Sequence, residues 1–159
     1  MASGFIILRD GRSLARRWTA YDYIIELVID KLSKKRLKEA DDFKNWLQAL
    51  LPNPDDIYNG FGGFIRKDTG ENVERWLDLR ELTEENQQLF WESLQESLRE
   101  LILDKQNQEY NSHIIFILKY FLRMKKLADI GDDPTNLSDW RDGYVTPSTN
   151  KKVGPGWAV

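Results

Sequence analysis

The sequence predicts an α+β fold that is mostly helical, with about four helices, two short antiparallel β-hairpins and an irregular C-terminal tail. Four stretches carry apolar residues at helical spacing, and two pairs of short apolar segments flank turn residues. The hairpins and helices are segregated along the chain instead of alternating as βαβ units, which favours α+β over α/β. The 159 residues therefore divide into one domain over residues 1–128 and a tail over residues 129–159.

The chain is predicted to open with a β-hairpin. Residues 5–8 are apolar and rich in β-branched side chains, and residues 12–18 would form the returning strand. Between them, Asp10 and Gly11 favour a two-residue type I′ turn, in which both central residues need a positive φ. Thr19 then has the side chain and the position of an N-cap for a helix over residues 20–32.

A second helix and a second hairpin are expected next. Ser33 is the predicted cap of a helix that ends before Pro52, since proline removes a donor and clashes with the preceding turn. Residues 64–67 and 73–80 are predicted to pair as the second hairpin, because apolar side chains alternate with polar ones. Arg75 breaks this alternation by falling on the apolar side of its strand.

Two longer helices complete the domain. Thr83 is the predicted cap of the first, with two glutamates in its first turn, where the helix dipole favours anions. Asn111 or Ser112 is the predicted cap of the last helix, over residues 113–128. Residues 114–122 are apolar on nearly all sides, which is typical of a central, buried helix.

The tail is rich in glycine, proline and polar residues. Trp140, Tyr144 and Trp157 interrupt this pattern, and we expect them to hold the tail against the domain. Burial of one large aromatic side chain stabilises by about 2–3 kcal/mol, which offsets the ordering of a few residues.

The residues that most enzymes and metal sites use are scarce. The chain has no cysteine, and its one histidine, His113, precedes an apolar run. The loop at residues 60–63 is rich in glycine but lacks the lysine that a phosphate-binding loop needs. We therefore predict no metal site, no cofactor and no enzymatic activity. An uncharacterised carboxylate-dependent hydrolase remains an alternative, because 26 acidic residues offer many carboxylate pairs.

The sequence also bears on location. Residues 1–4 carry no basic group, and the apolar run that follows is too short for the core of a signal peptide. No stretch approaches the roughly 20 apolar residues of a membrane-spanning helix. We therefore expect a cytoplasmic protein that has no membrane partner.

Charge is segregated along the chain although the net charge is only −3. Residues 68–104 carry eleven acidic and three basic side chains, which predicts either a solvated helix face or a surface for a basic partner. On the second interpretation we take Trp76 as an aromatic anchor beside a row of acids. The candidate acidic residues are Glu84, Glu85, Glu92, Glu96, Glu100 and Asp104.

A nucleic-acid-binding module is the second alternative. Basic residues crowd the first hairpin and the junction between the first two helices, and clustered cations are what phosphate groups require. These residues are Arg12, Arg16, Arg17, Lys34, Lys35 and Arg36. The acidic isoelectric point near 5.3 and the lack of a helix-turn-helix pattern disfavour this function.

The start of the chain resembles a known class of binding proteins. Residues 4–12, which read GFIILRDGR, and residues 17–22, which read RWTAYD, are similar to the opening of small bacterial immunity proteins. The resemblance implies a cytosolic antidote that binds a toxin of a polymorphic or contact-dependent system and blocks its active site. It implies a protein partner, such as a basic toxin domain, and it indicates nothing about the oligomeric state.

Overall fold

The computed structural model describes residues 3–146 and the backbone of residues 152–153, and this part of the chain has the predicted α+β class. The described helices are α1 (Trp18–Ser33), α2 (Lys38–Gln48), α3 (Glu84–Leu103) and α4 (Gln108–Asp129). The described strands are β1 (Ser3–Ile7), β2 (Arg12–Arg17), β3 (Ile57–Tyr58), β4 (Phe64–Ile65), β5 (Asn72–Val73), β6 (Trp76–Asp78), β7 (Gly143–Val145) and β8 (Lys152–Val153). Two sheets result, a larger one in the order β6-β1-β2-β7-β8 and a smaller one in the order β3-β4-β5.

The predicted first hairpin is present, but its turn differs. Strands β1 and β2 pair antiparallel, with Ile6 opposite Leu14, and both side chains are buried in the main core. The Leu8 N–H donates to the Arg12 carbonyl at 2.8 Å, so the loop has three residues instead of two. Gly11 takes the left-handed conformation, with a φ of 95°, at the last loop position. The predicted type I′ turn is therefore wrong. A two-residue turn at Asp10 and Gly11 would pair Arg9 with Arg12, whereas Leu8 pairs with Arg12.

The predicted helix caps are confirmed only for α3. The Thr83 hydroxyl accepts a hydrogen bond from the Asn86 N–H at 3.1 Å. Thr19 does not cap α1, which begins at Trp18 without a side-chain cap because β2 runs directly into the helix. Ser33 does not cap α2, since it is the last residue of α1. Asn111 lies buried within α4, which begins at Gln108, so the predicted caps of that helix are also wrong.

The main core is formed by one face of the larger sheet and by helices α1, α2, α3 and α4. Helix α4 contributes Ile117, Leu118 and Phe121, which are at most 3% exposed. It is not buried on all sides, however, because Phe116 is 64% exposed. The expectation of a central helix is therefore wrong: α4 packs on α3 with one face and presents apolar side chains to solvent with another.

The predicted second hairpin is split between the two sheets. Phe64 pairs with Val73 in the small antiparallel sheet, as expected. After a turn at Arg75, the chain leaves that sheet, and β6 joins β1 in parallel, with Trp76 opposite Phe5. The split occurs because Arg75 is buried and hydrogen-bonded at this turn, so the strand cannot continue along its first partner.

Part of the tail forms a strand that the sequence did not predict. Strand β7 pairs antiparallel with β2, and Val145 is buried beside Ile7 on the sheet face opposite the helices. Tyr144 is half-buried in this strand, as the tail interpretation expects, whereas Trp140 is 62% exposed. Trp157 lies outside the described residues.

Candidate functional site: an acidic ridge and groove on helix α3

The acidic residues of α3 form an exposed row along the helix. Glu85, Glu92 and Glu96 are all exposed, and their spacing of seven and four residues places them on one helical face. None of the three forms an ion pair with another described residue within residues 3–146. We call these three residues the acidic ridge.

Glu100 and Asp104 are exposed to different degrees, and both have structural partners. Glu100 accepts a hydrogen bond from the ammonium group of Lys31, a residue that is only 3% exposed. Asp104 accepts a hydrogen bond of 2.9 Å from the Asn107 amide in the turn that follows α3. These two carboxylates therefore hold the fold together and contribute less free charge to the surface than the acidic ridge.

Beside the acidic ridge lies a groove of about 460 Å³ between α3, the end of α4 and the tip of the first hairpin. Glu84 and Glu92 line it, and the Gln88 amide donates to Glu92 at 2.8 Å. Trp91 also lines the groove, and the ammonium group of Lys125 lies 5.6 Å from the centroid of its ring. The groove thus offers part of an aromatic ring bordered by amides, by the three carboxylates Glu84, Glu92 and Asp129, and by the two cations Arg9 and Lys125.

The sequence assigns no functional role to Trp91 and does not predict the groove. Trp91 is only 8% exposed, yet its remaining surface faces the groove. The sequence does carry an indication of the α3 wall of the groove. Residues 84, 88, 91 and 95 share one stripe of the helix that is polar except for the tryptophan. The α4 wall of the groove could not be found in this way, because it depends on tertiary packing.

Trp76, the predicted aromatic anchor, does not lie near the acidic ridge. It is half-buried in β6, where its ring centroid is 5.7 Å from that of Phe5. Its cluster includes Ile7 and Val145, on the sheet face opposite the helices. The structure therefore brings the acids of α3 together but places Trp76 on a different side of the molecule.

Two of the basic residues that favoured nucleic-acid binding are buried. Arg12 is 2% exposed, and its Nε donates to Asp10 at 2.8 Å. Arg16 is 4% exposed, and its Nη1 donates to Asp142 at 2.8 Å. Phosphate contacts need cations at the surface. On the same hairpin, Arg17 and Arg9 have exposed side chains.

Two carboxylates whose pKa values are shifted in opposite directions, Asp139 and Asp142, lie beside Arg16. A hydrogen bond from Arg141 lowers the pKa of Asp139 to about 2, whereas burial raises the pKa of Asp142. However, Asp142 is only 1% exposed, and the adjoining cavity has a volume of about 80 Å³. That space is too small for a sugar or a comparable substrate, since ligand pockets span about 300–1,000 Å³.

The described residues provide no metal centre. Within residues 3–146, no group of three or more histidine, aspartate or glutamate side chains is placed to hold a metal ion. His113 is exposed on α4. In the same part of the chain, no helix has the length and apolar character to span a membrane.

Comparison with known proteins finds no relative. No protein-family model matches the chain, and no curated protein or solved structure is significantly similar to it.

Proposed function

We propose that the chain is a non-enzymatic protein-binding protein that neutralises a basic toxin domain by binding it through the acidic ridge and the adjoining groove. The observation that carries this proposal is the row of exposed carboxylates at Glu85, Glu92 and Glu96, which have no ion-pair partner among the described residues. A row of free charges of one sign attracts a surface of the opposite sign and speeds the encounter with it.

The groove would add affinity, whereas the charge of the acidic ridge mainly speeds association. Affinity at protein interfaces is concentrated in a few side chains that enter pockets and lose their water there. The groove has the volume for such a side chain and presents Trp91 with Glu84 and Glu92 beside it. An arginine or lysine of a basic partner suits this combination, because its stem packs on the ring while its charge meets the carboxylates.

The assignment of the partner as a toxin rests on the resemblance of residues 4–12 and 17–22 to immunity proteins. Such proteins act by occupying a surface of the toxin, so they need no catalytic group of their own. The location expected from the sequence, the cytoplasm, is where such an antidote would act, and it belongs to the same proposal.

The test compares two triple variants that change the net charge equally. One reverses the acidic ridge (Glu85→Lys, Glu92→Lys and Glu96→Lys), and the control reverses three exposed acids on α2 and a loop (Glu39→Lys, Asp42→Lys and Asp68→Lys). Each tagged protein captures partners from source-cell lysate, and mass spectrometry identifies them. We expect one basic protein to be captured by the wild-type and control chains but not by the ridge variant.

Two further readouts address mechanism and neutralisation. With the captured protein in hand, association of the ridge variant should be slower by about tenfold and less dependent on salt than that of the control. Expression of the captured protein alone should arrest growth, and co-expression of the wild-type chain should restore it. Equal capture and equal association rates for the two triple variants would contradict the role of the ridge, and a harmless partner would contradict neutralisation.

A further inference from the structure

A second cleft lies away from the acidic groove, between the first turn of α1 and the N-terminal half of α4. It has a volume of about 430 Å³ and shares no lining residue with the groove on α3. Thr19 and Ala20 of α1 line one side, and Tyr110 and Asn111 of α4 line the other. A cleft of this size can enclose a small organic molecule.

The α1 side of the cleft is a helix N-terminus without a cap. Helix α1 has 16 residues, no side chain caps it, and its first turn contains no acidic residue. The N–H groups of Thr19 and Ala20 donate to no described side chain, as expected for the first residues of an uncapped helix. Free N–H groups and the positive end of the helix dipole together favour a bound anion.

Asn111 provides an independent indication of a ligand. The residue is only 5% exposed and lines the cleft, yet its side-chain amide makes no hydrogen bond to any residue within 3–146. Neither polar atom of this amide is among the fully buried unpartnered side-chain atoms of residues 3–146, so both remain accessible to a hydrogen-bonding group in the cleft. The cleft therefore contains a polar group that a ligand could satisfy.

The remaining lining residues indicate the chemistry of that ligand. Arg17 is exposed at the cleft and pairs with no described carboxylate, so its charge is free for an anion. Tyr23 and Tyr110 add aromatic surface, and Ile117, which is 3% exposed, lies at the buried side. Glu26 and Glu109, the acids next to these residues along the two helices, do not line the cleft.

We propose that this cleft binds a small aromatic phosphate, of which a nucleoside monophosphate is a common biological form. The phosphate lies on the first turn of α1 and Arg17, the ring packs against Tyr23 and Tyr110, and the Asn111 amide bonds the polar edge of the ring. A phosphate suits the site better than a neutral group, because uncapped N–H groups and a free guanidinium both favour negative charge.

The test is a titration of the full ¹⁵N-labelled chain followed by NMR, with AMP and phenyl phosphate as probes. We expect AMP to shift the backbone N–H signals of Thr19 and Ala20 and the side-chain amide signals of Asn111. Adenosine and inorganic phosphate, each of which carries half of the proposed chemistry, should bind at least about tenfold more weakly than AMP. If neither AMP nor phenyl phosphate shifts these signals at millimolar concentration, the proposal is wrong.

Matched variants localise the binding. Arg17→Gln and Tyr110→Ala, both at exposed positions, should each weaken AMP binding by about fivefold or more. Lys119→Gln and Phe116→Ala remove the same kinds of group from exposed positions on α4 that do not line the cleft, and should leave the affinity unchanged. Equal effects of the cleft variants and their controls would place any binding elsewhere and overturn the assignment.

Discussion

Arg75 and Asp22 form a buried ion pair that joins the two sheets to helix α1. The Arg75 Nε donates to Asp22 Oδ1 at 2.7 Å, and its Nη2 donates to Oδ2 at 2.9 Å. The third nitrogen, Nη1, donates to the Gly62 carbonyl at 2.7 Å, and the guanidinium lies 5.0 Å from the centroid of the Trp18 ring. With Arg75 only 4% exposed, these contacts fix the turn at which the chain leaves the small sheet for the larger one.

Removal of one partner of this pair should be strongly destabilising. We expect Asp22→Ala to lower the free energy of unfolding by about 3–5 kcal/mol, because it leaves a guanidinium buried without its counter-charge. The double variant Asp22→Leu with Arg75→Met should lose less free energy of unfolding than the sum lost by Asp22→Leu and Arg75→Met singly, since no buried charge remains. Urea denaturation followed by circular dichroism measures both. A loss below about 1 kcal/mol for Asp22→Ala would show that the pair does not hold the turn.

The Lys31–Glu100 pair should respond asymmetrically to substitution. Lys31 is 3% exposed, whereas Glu100 is exposed, so only the lysine bears a large cost of desolvation. We expect Glu100→Gln to destabilise by about 1–2 kcal/mol, because a buried ammonium loses its hydrogen-bonded carboxylate and keeps only Asp30, at 4.0 Å. Lys31→Met should lower the free energy of unfolding by less, since methionine replaces the apolar stem of the lysine and the buried charge is removed. Glu96→Gln on the same helix is the control and should change stability by less than about 0.5 kcal/mol.

The sequence predicts the features that depend on local pattern. The Thr83 cap, the first hairpin and the exposed helical face that carries Glu92 and Glu96 all follow from residues close together in the chain. Helical periodicity is sufficient to place these two carboxylates on one face, and a threonine before two glutamates is sufficient to begin a helix. Thr19 has the same side chain as Thr83 but does not cap, because α1 begins one residue earlier, at Trp18, so that Arg17 occupies the cap position and Thr19 lies inside the helix.

The features that the sequence did not predict depend on partners far along the chain. Arg75 visibly broke the apolar alternation of its strand, but Asp22 lies 53 positions earlier. The sequence groups Arg16 with a basic surface, because its partner, Asp142, lies 126 positions away. The groove on α3 and the cleft at Asn111 each need two helices brought together. A charged residue at an apolar position, such as Arg75, therefore indicates a buried charge, but the sequence does not identify the residue that pairs with it.

Gly62 and Gly60 test the close packing of the small sheet against β1. Both have a positive φ, of 95° and 85°, so alanine at either position carries about 1–2 kcal/mol of backbone strain. At Gly62, an added Cβ would also lie 2.4 Å from the Ser3 carbonyl oxygen, whereas at Gly60 nothing lies within 4 Å. We expect Gly62→Ala to be more destabilising than Gly60→Ala by a further 1–3 kcal/mol or so. Equal losses of stability for Gly62→Ala and Gly60→Ala, measured by thermal denaturation, would show that β1 and the loop containing these glycines do not pack closely.

Asp139 should control part of the acid sensitivity of the fold. Its pKa in the folded chain is about 2, below the ordinary value of 3.8, chiefly because Arg141 donates a hydrogen bond to it. A carboxyl with a lowered folded pKa contributes stability above about pH 4, and that contribution is lost as the pH falls towards 2. For this half-buried carboxylate, whose partner Arg141 is partly exposed to solvent, screening reduces the contribution to about 1 kcal/mol. We therefore expect Asp139→Asn to destabilise at pH 7 by about this amount and to flatten the loss of stability between pH 4 and 2.

The pKa of Asp142 is raised, whereas that of Asp139 is lowered, so the two carboxyls can be distinguished by experiment. Burial is the main cause of the rise, so the contribution of Asp142 to stability is present at low pH and declines as the pH rises through its folded pKa. In an NMR titration of the side-chain carboxyl carbons, Asp139 should titrate near pH 2 and Asp142 above 3.8. Asp68→Asn, at an exposed position, controls for the loss of one charge in the stability measurements. If Asp139→Asn behaves like this control at every pH, its hydrogen bond from Arg141 does not stabilise the fold.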